Sequence, residues 1–98
     1  MSNSTALSSG LLAAGTTTVI ARKSMLSGLT VISDGTNAAT ATVYDNASAA
    51  SGTILAKAVA NATMPTAHVD GTSRVRADNG ITVVVSGTGS GAIVYYDA

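Results

Sequence analysis

The chain contains no cysteine, phenylalanine, tryptophan, glutamate or glutamine. It has one proline, one histidine, two lysines and three tyrosines. Each shortage removes a class of answer. Without cysteine there are no disulfides, thiolate sites or iron–sulfur clusters, and the composition is compatible with a reducing compartment. A single histidine with no cysteine cannot supply the three or four ligands of a zinc site. Five basic residues balance five aspartates, leaving a net charge of 0 and only 10% charged residues. That denies the chain the basic footprint of a nucleic-acid-binding protein. Straight-chain helix formers are nearly missing apart from alanine, which is scattered among Thr, Ser and Gly rather than set at helical period. The N-terminal stretch "MSNSTALSSGLLAAG" has neither the basic region nor the apolar run of a signal peptide or membrane span.

What is present points to β structure. Val, Ile and Thr make up 29 of 98 residues, and these β-branched types suit a pleated, half-buried surface. Ser and Thr together number 26, so solubility comes from hydroxyls rather than charge, and nothing repels ordered assembly. The length allows one domain, burying roughly 60–65% of its unfolded surface. Its core material is small: Ala, Val, Ile and Leu supply most of the 46% hydrophobic fraction. Such a core supports modest stability, and association with further copies or with a larger surface would add what it lacks.

Along the chain, residues 1–15 read as an extended arm in which Leu7, Leu11 and Leu12 give something to dock. Residues 16–98 break into short runs separated by turn residues. Strands are expected at Thr16–Ala21, Met25–Ser33, Ala38–Asp45, Thr53–Ala60, Ser73–Ala77, Ile81–Ser86 and Ala92–Tyr96, with Gly28 as a bulge. In Thr53–Ala60, alternation sets Ile54, Ala56, Ala58 and Ala60 opposite Leu55, Lys57 and Val59. Turns are expected at Asp34–Asn37, Asp70–Gly71 and Asn79–Gly80, and an irregular stretch around Pro65. The expectation is an all-β, single-domain antiparallel sandwich of seven or eight strands.

The stretch "ITVVVSGTGSGAIVYY" could open a phosphate site only if a helix followed the glycines. A strand follows, and the Gly-Lys-Ser/Thr of a nucleotide loop is missing. A β-hairpin with glycines at positive φ explains it. His68 has no nucleophile arranged beside it and reads as a surface or interface hydrogen-bonder. Asp34, Asp45, Asp70 and Asp78 each precede Gly or Asn, the signature of turns rather than of a calcium loop. No catalytic constellation, cofactor motif or metal set emerges, so the chain reads as a non-enzyme. Arg22, Lys23, Arg74 and Arg76 are four of its five cations. They act either as edge charges that discourage unwanted pairing or as anchors on an acidic partner. Together with Leu7, Leu11 and Leu12 they are the candidate partner-interface residues. Tyr95 and Tyr96 point to opposite faces of one strand, so one packs inward while the other is exposed or covered by a partner.

The stretches "ATVYDNASAASGTILAKAV" and "NGITVVVSGTGSGAIVYY" resemble a group of small proteins encoded among the structural genes of tailed bacteriophages. The pattern is a Val-Tyr-Asp strand end, a small-residue loop, Gly-Thr-x-Leu-Ala, and a closing Gly-Ile-Thr-Val-Val segment ending in aromatics. The resemblance covers roughly residues 25–98 and includes no catalytic residue. It implies a jelly-roll domain, made in the host cytoplasm, that sits on the capsid surface of the virion. There it would act as a homotrimeric decoration or cement protein whose partner is the major capsid protein. The alternatives are a head-fibre or tail-associated module, and, from another class, a carbohydrate-binding jelly roll for host attachment. No nucleic acid, membrane or cofactor is implied.

Overall fold

The computed structural model describes residues 7–97, except the side chains of residues 70–74. Nine strands follow one another: β1 (Leu7–Ser8), β2 (Leu12–Ala13), β3 (Gly15–Ile20), β4 (Ser24–Ile32), β5 (Ala39–Asp45), β6 (Thr53–Ala60), β7 (Thr66–Ala77), β8 (Ile81–Ser86) and β9 (Gly91–Asp97). They form two antiparallel sheets. One has the order β1–β9–β4–β7, with β2 continuing beside β9, and the other has the order β3–β8–β5–β6.

The pairings are nested. β2 lies against β9, β3 against β8, β4 against β7 and β5 against β6, all antiparallel. This amounts to one long hairpin, bent at the β5–β6 loop and rolled up until β4 meets β9 and β5 meets β8. From β2 onward every connection except β5–β6 passes from one sheet to the other. The chain is therefore a jelly-roll β-sandwich.

Alternation makes the core. β5 turns Ala39, Ala41 and Val43 inward, and Thr40, Thr42 and Tyr44 outward. β4 contributes Leu26, Leu29 and Val31; β8 contributes Ile81, Val83 and Val85; and β9 contributes Ala92 and Val94. Leu29 and Ile81 are the largest fully buried side chains, and no aromatic ring is among the fully buried residues. Tyr96 packs against this cluster from its margin. The thin core expected from composition is what forms.

Three local expectations need correction. The β8–β9 connection is a glycine turn, but not of a hairpin: β8 and β9 belong to opposite sheets. Gly87 and Gly89 have φ of 118° and 68°, as a tight turn asks of glycine. A Cβ on Gly87 would collide with the Ala38 carbonyl, so the turn is wedged against the β4–β5 loop. A glycine turn looks the same in sequence whether the next strand pairs alongside or crosses the sandwich. The partners of β8 lie far away in sequence, at β3 and β5.

The second correction concerns Asp70–Gly71, expected as a turn before a short strand. Residues 66–77 form one strand, and the interruption appears in its ladder. Leu26 pairs with Val75 but Gly28 with Asp70, so two steps along β4 match five along β7. Gly28, the expected bulge, sits at this break and at the register shift against β9. The third concerns β6. A register shift between Val43 and Tyr44 inserts Leu55 as an extra residue, which reverses the alternation beyond it. Leu55 then packs against the core, and Ile54, which strict alternation groups with Ala58 and Ala60, is 53% exposed.

Candidate interaction surfaces

Among the described residues no pocket opens on the surface, and no three potential metal ligands come together. What the fold offers are two faces, their edges and the loops.

The edge beyond β9 is covered by the arm. Leu7 and Ser8 pair with Tyr96 and Tyr95, and Leu12 and Ala13 with Ala92 and Gly91. One extra arm residue lies between these pairings, and Ser9 bridges the gap. Its N–H donates to the Val94 carbonyl at 2.9 Å, and its Oγ accepts the Val94 N–H at 2.9 Å. A serine side chain thus takes the ladder position that a backbone carbonyl leaves empty, which keeps the β9 edge satisfied. Of the three leucines expected to dock, Leu12 packs against the core cluster. Leu7 and Leu11 remain 47% and 68% exposed, with Leu11 reaching over Gly91, where a Cβ would meet it at 2.8 Å. Nothing in the composition of "SSGLLAAG" marks Ser9 as a ladder member, because the role depends on where β9 lies.

Three of the basic residues, Arg22, Lys23 and Arg76, lie near one end of the sandwich. Arg22 and Lys23 are exposed in the bend between β3 and β4. Arg76 lies on the outer face of β7, beside Met25 of β4. Its Nε is 2.9 Å from Asp78 Oδ1, with both side chains more than half exposed. The Arg74 side chain lies outside the described residues. Arg22, Lys23 and Arg76 are thus accessible, and Arg76 already has a carboxylate partner. Lys57, the fifth cation, is exposed on β6.

The two outer faces differ in chemistry. On the β3–β8–β5–β6 sheet, residues paired across strands form rows: Thr16, Val84, Thr42, Lys57; then Thr18, Thr82, Tyr44, Ile54; then Ser86, Thr40, Val59. Lys57 is the only charge in these rows. The Thr82 hydroxyl donates to the Asn46 carbonyl at 2.9 Å and lies 3.2 Å from Thr18 Oγ1, so that end of the face is closed by the loop after β5. On the other sheet the rows carry charges of both signs. Asp97, Met25 and Arg76 form one, and Ile93, Thr30 and His68 another. His68 Nδ1 is hydrogen-bonded to Thr30 Oγ1 at 2.7 Å. Its ring meets Tyr95 edge-on, with centroids 6.3 Å apart. Tyr95 lies over Gly28, where a Cβ would be 3.4 Å from the ring. Tyr95 therefore covers the glycine outside while Tyr96 packs inside, the division expected of neighbouring tyrosines on a strand.

The loop aspartates and asparagines act as turn formers. Asp34 Oδ1 accepts the N–H groups of Thr36 and Asn37, while its Oδ2 accepts from the Asn37 side chain. These bonds, led by the Asn37 backbone N–H, hold its carboxyl below the ordinary range. Asn46 and Asn61 repeat the same backbone pattern. Asp45 instead accepts the Asn79 N–H at 2.8 Å and ties two loops together, and the Asp70 side chain lies outside the described residues.

Comparison with protein-family models, curated proteins and solved structures finds no match to this chain.

Proposed function

We propose that the chain is a non-enzymatic structural protein of a tailed-phage particle, binding the outside of the capsid shell as a homotrimeric decoration protein. One observation carries the reading. A jelly roll whose fully buried side chains are no larger than Leu and Ile leaves Leu7, Leu11, Ile54, Val59 and Met64 exposed, on a surface with little charge to keep copies apart. Such a domain gains by being held between neighbours. The resemblance of its β5–β6 and β8–β9 segments to small phage particle proteins supports the same class, and the major capsid protein is the partner it implies. Head-fibre and tail modules belong to that class too.

Electron microscopy of capsids lacking the protein, before and after adding it, tests the reading. Added density outside the shell at repeated symmetry sites is the expected result. Bare capsids at saturating protein would sink it. The carbohydrate-binding reading has one observation in its favour, the Tyr95–His68 pair on an outer face. A glycan array with the Tyr95→Ala variant as control distinguishes it: signal that depends on Tyr95 favours host attachment over shell binding.

A further inference from the structure

We infer that the β9 edge is an acceptor site whose occupant, in the assembled protein, is the arm of a second copy. The inference rests on the assembly reading above and names the contact that makes the assembly.

The arm holds its own domain by little. β1 and β2 supply two register pairs each, whereas β4 meets the same strand, β9, from Met25 to Ile32. Between arm and body the chain passes through Gly15, at φ 134° and with open space where a Cβ would be. Gly10, inside the arm, is at φ 73° and equally open. Both positions can change direction without pushing on a neighbour. An arm that swings about Gly15 onto another copy's β9 recovers every bond it gave up, including both Ser9–Val94 bonds, because donor and acceptor strands are the same in each copy. Exchange of an identical element is a low-cost route to closed assemblies.

The gain comes from Leu7 and Leu11. In the unexchanged chain they are 47% and 68% exposed. At the boundary between two bodies they would be covered from both sides. The exchanged contact joins the arm strands β1 and β2 of one copy to the seven residues of β9 in the next. Each copy gives one arm and receives one, so a ring closes at three members as readily as at two.

The chain has no cysteine, so disulfide trapping is free of background. Ser8 and Tyr95 face each other across the arm–β9 ladder, within the Cα spacing a disulfide bridges. A chain carrying Ser8→Cys and Tyr95→Cys is oxidised and run on a non-reducing gel, with sedimentation in parallel. Exchange predicts that most of the protein runs as covalent multimers and sediments as a multimer. Mixing the two single variants should likewise give covalent pairs well beyond either variant alone. A multimer by sedimentation whose double variant closes only within single chains overturns exchange and leaves the assembly reading standing. A monomer by both measurements overturns the two together. Should Tyr95 prove necessary for folding, Ala13→Cys with Gly91→Cys repeats the test, since only the movable Leu11 side chain crowds Gly91.

Discussion

β9 is held from two sides, and the two sides differ in kind. Against β4 it has continuous register from Gly91 to Asp97, disturbed only at Gly28. Leu26, Leu29, Val31 and Val94 beneath that ladder are at most 3% exposed. Against the arm it has two short contacts stitched by a serine side chain, with two of the three leucines largely in solvent. Backbone hydrogen bonds are made on both sides. What separates the sides is apolar burial, at about 25 cal/mol per Å². Hydrogen bonding gives the edge its geometry, and burial decides which edge is permanent.

The heaviest blow to this contrast is Leu29→Ala. Leu29 is fully buried where the three strands β7, β4 and β9 meet. Removing it leaves a cavity in a core with few large side chains to relax into it, with an expected loss of about 2–5 kcal/mol. In a domain this small the melting temperature should fall by roughly 10 °C or more. Calorimetry or circular dichroism reads it, and a shift of a degree or two would mean that the sheets do not pack around Leu29.

Leu12→Ala tests the arm side. Leu12 is the one arm leucine packed on the core, and it is only partly buried. The expected loss is about 1–2 kcal/mol, clearly less than for Leu29. If urea midpoints showed the two variants equal, the arm would belong to the permanent core and the contrast between the two sides of β9 would fail.

The sequence made the strands legible because each carries its own signal. Thr53–Ala60 and Ile81–Ser86 are found where β-branched runs end at turn residues. Gly28 is legible as a bulge because a lone glycine in an apolar strand seldom has another reason. What could not be read locally were relations between distant segments. Gly87–Ser90 has the composition of a hairpin turn, yet it bridges two sheets because β8 finds its partners in β3 and β5. Ile54 and Leu55 are equally apolar, and only the bulge against β5 determines which one faces inward. The candidate surfaces divide the same way. Exposed Arg22 and Lys23 follow from their place in a bend, whereas the different fates of Leu11 and Leu12 depend on where β9 lies.

The outer end of the β4–β9 side carries Arg76, and there the expected effect on stability is small. Its pair with Asp78 is more than half exposed, and such pairs contribute about 0–1 kcal/mol. Replacing Arg74 and Arg76 together by Ala should leave melting nearly unchanged. If these residues anchor the chain on an acidic shell, capsid occupancy should drop at least tenfold, because a carboxylate left unpaired in a closed contact is costly. If they only guard the β7 edge, occupancy holds and the variant aggregates instead. Measuring occupancy and melting on the same preparation separates the two roles.

Leu11→Ala should have the smallest effect on the isolated domain, and it sharpens the comparison most. Leu11 is 68% exposed and reaches over the bare backbone of Gly91, so its truncation should change unfolding free energy by no more than about 0.5 kcal/mol. Its neighbour Leu12 has the same side chain one residue along, and the same substitution there should be felt in folding. Assembly should reverse the ranking if Leu11 is covered by a neighbouring copy. Burying a leucine fully contributes about 1.5–3 kcal/mol, which corresponds to a weakening of self-association of roughly tenfold or more per contact. Dilution series by sedimentation for Leu11→Ala and Leu12→Ala, set beside their urea midpoints, give the four values needed. A Leu11→Ala variant that associates as tightly as the parent would mean that the exposed leucine stays in solvent in every state. The arm side of β9 would then be a weaker edge and nothing more.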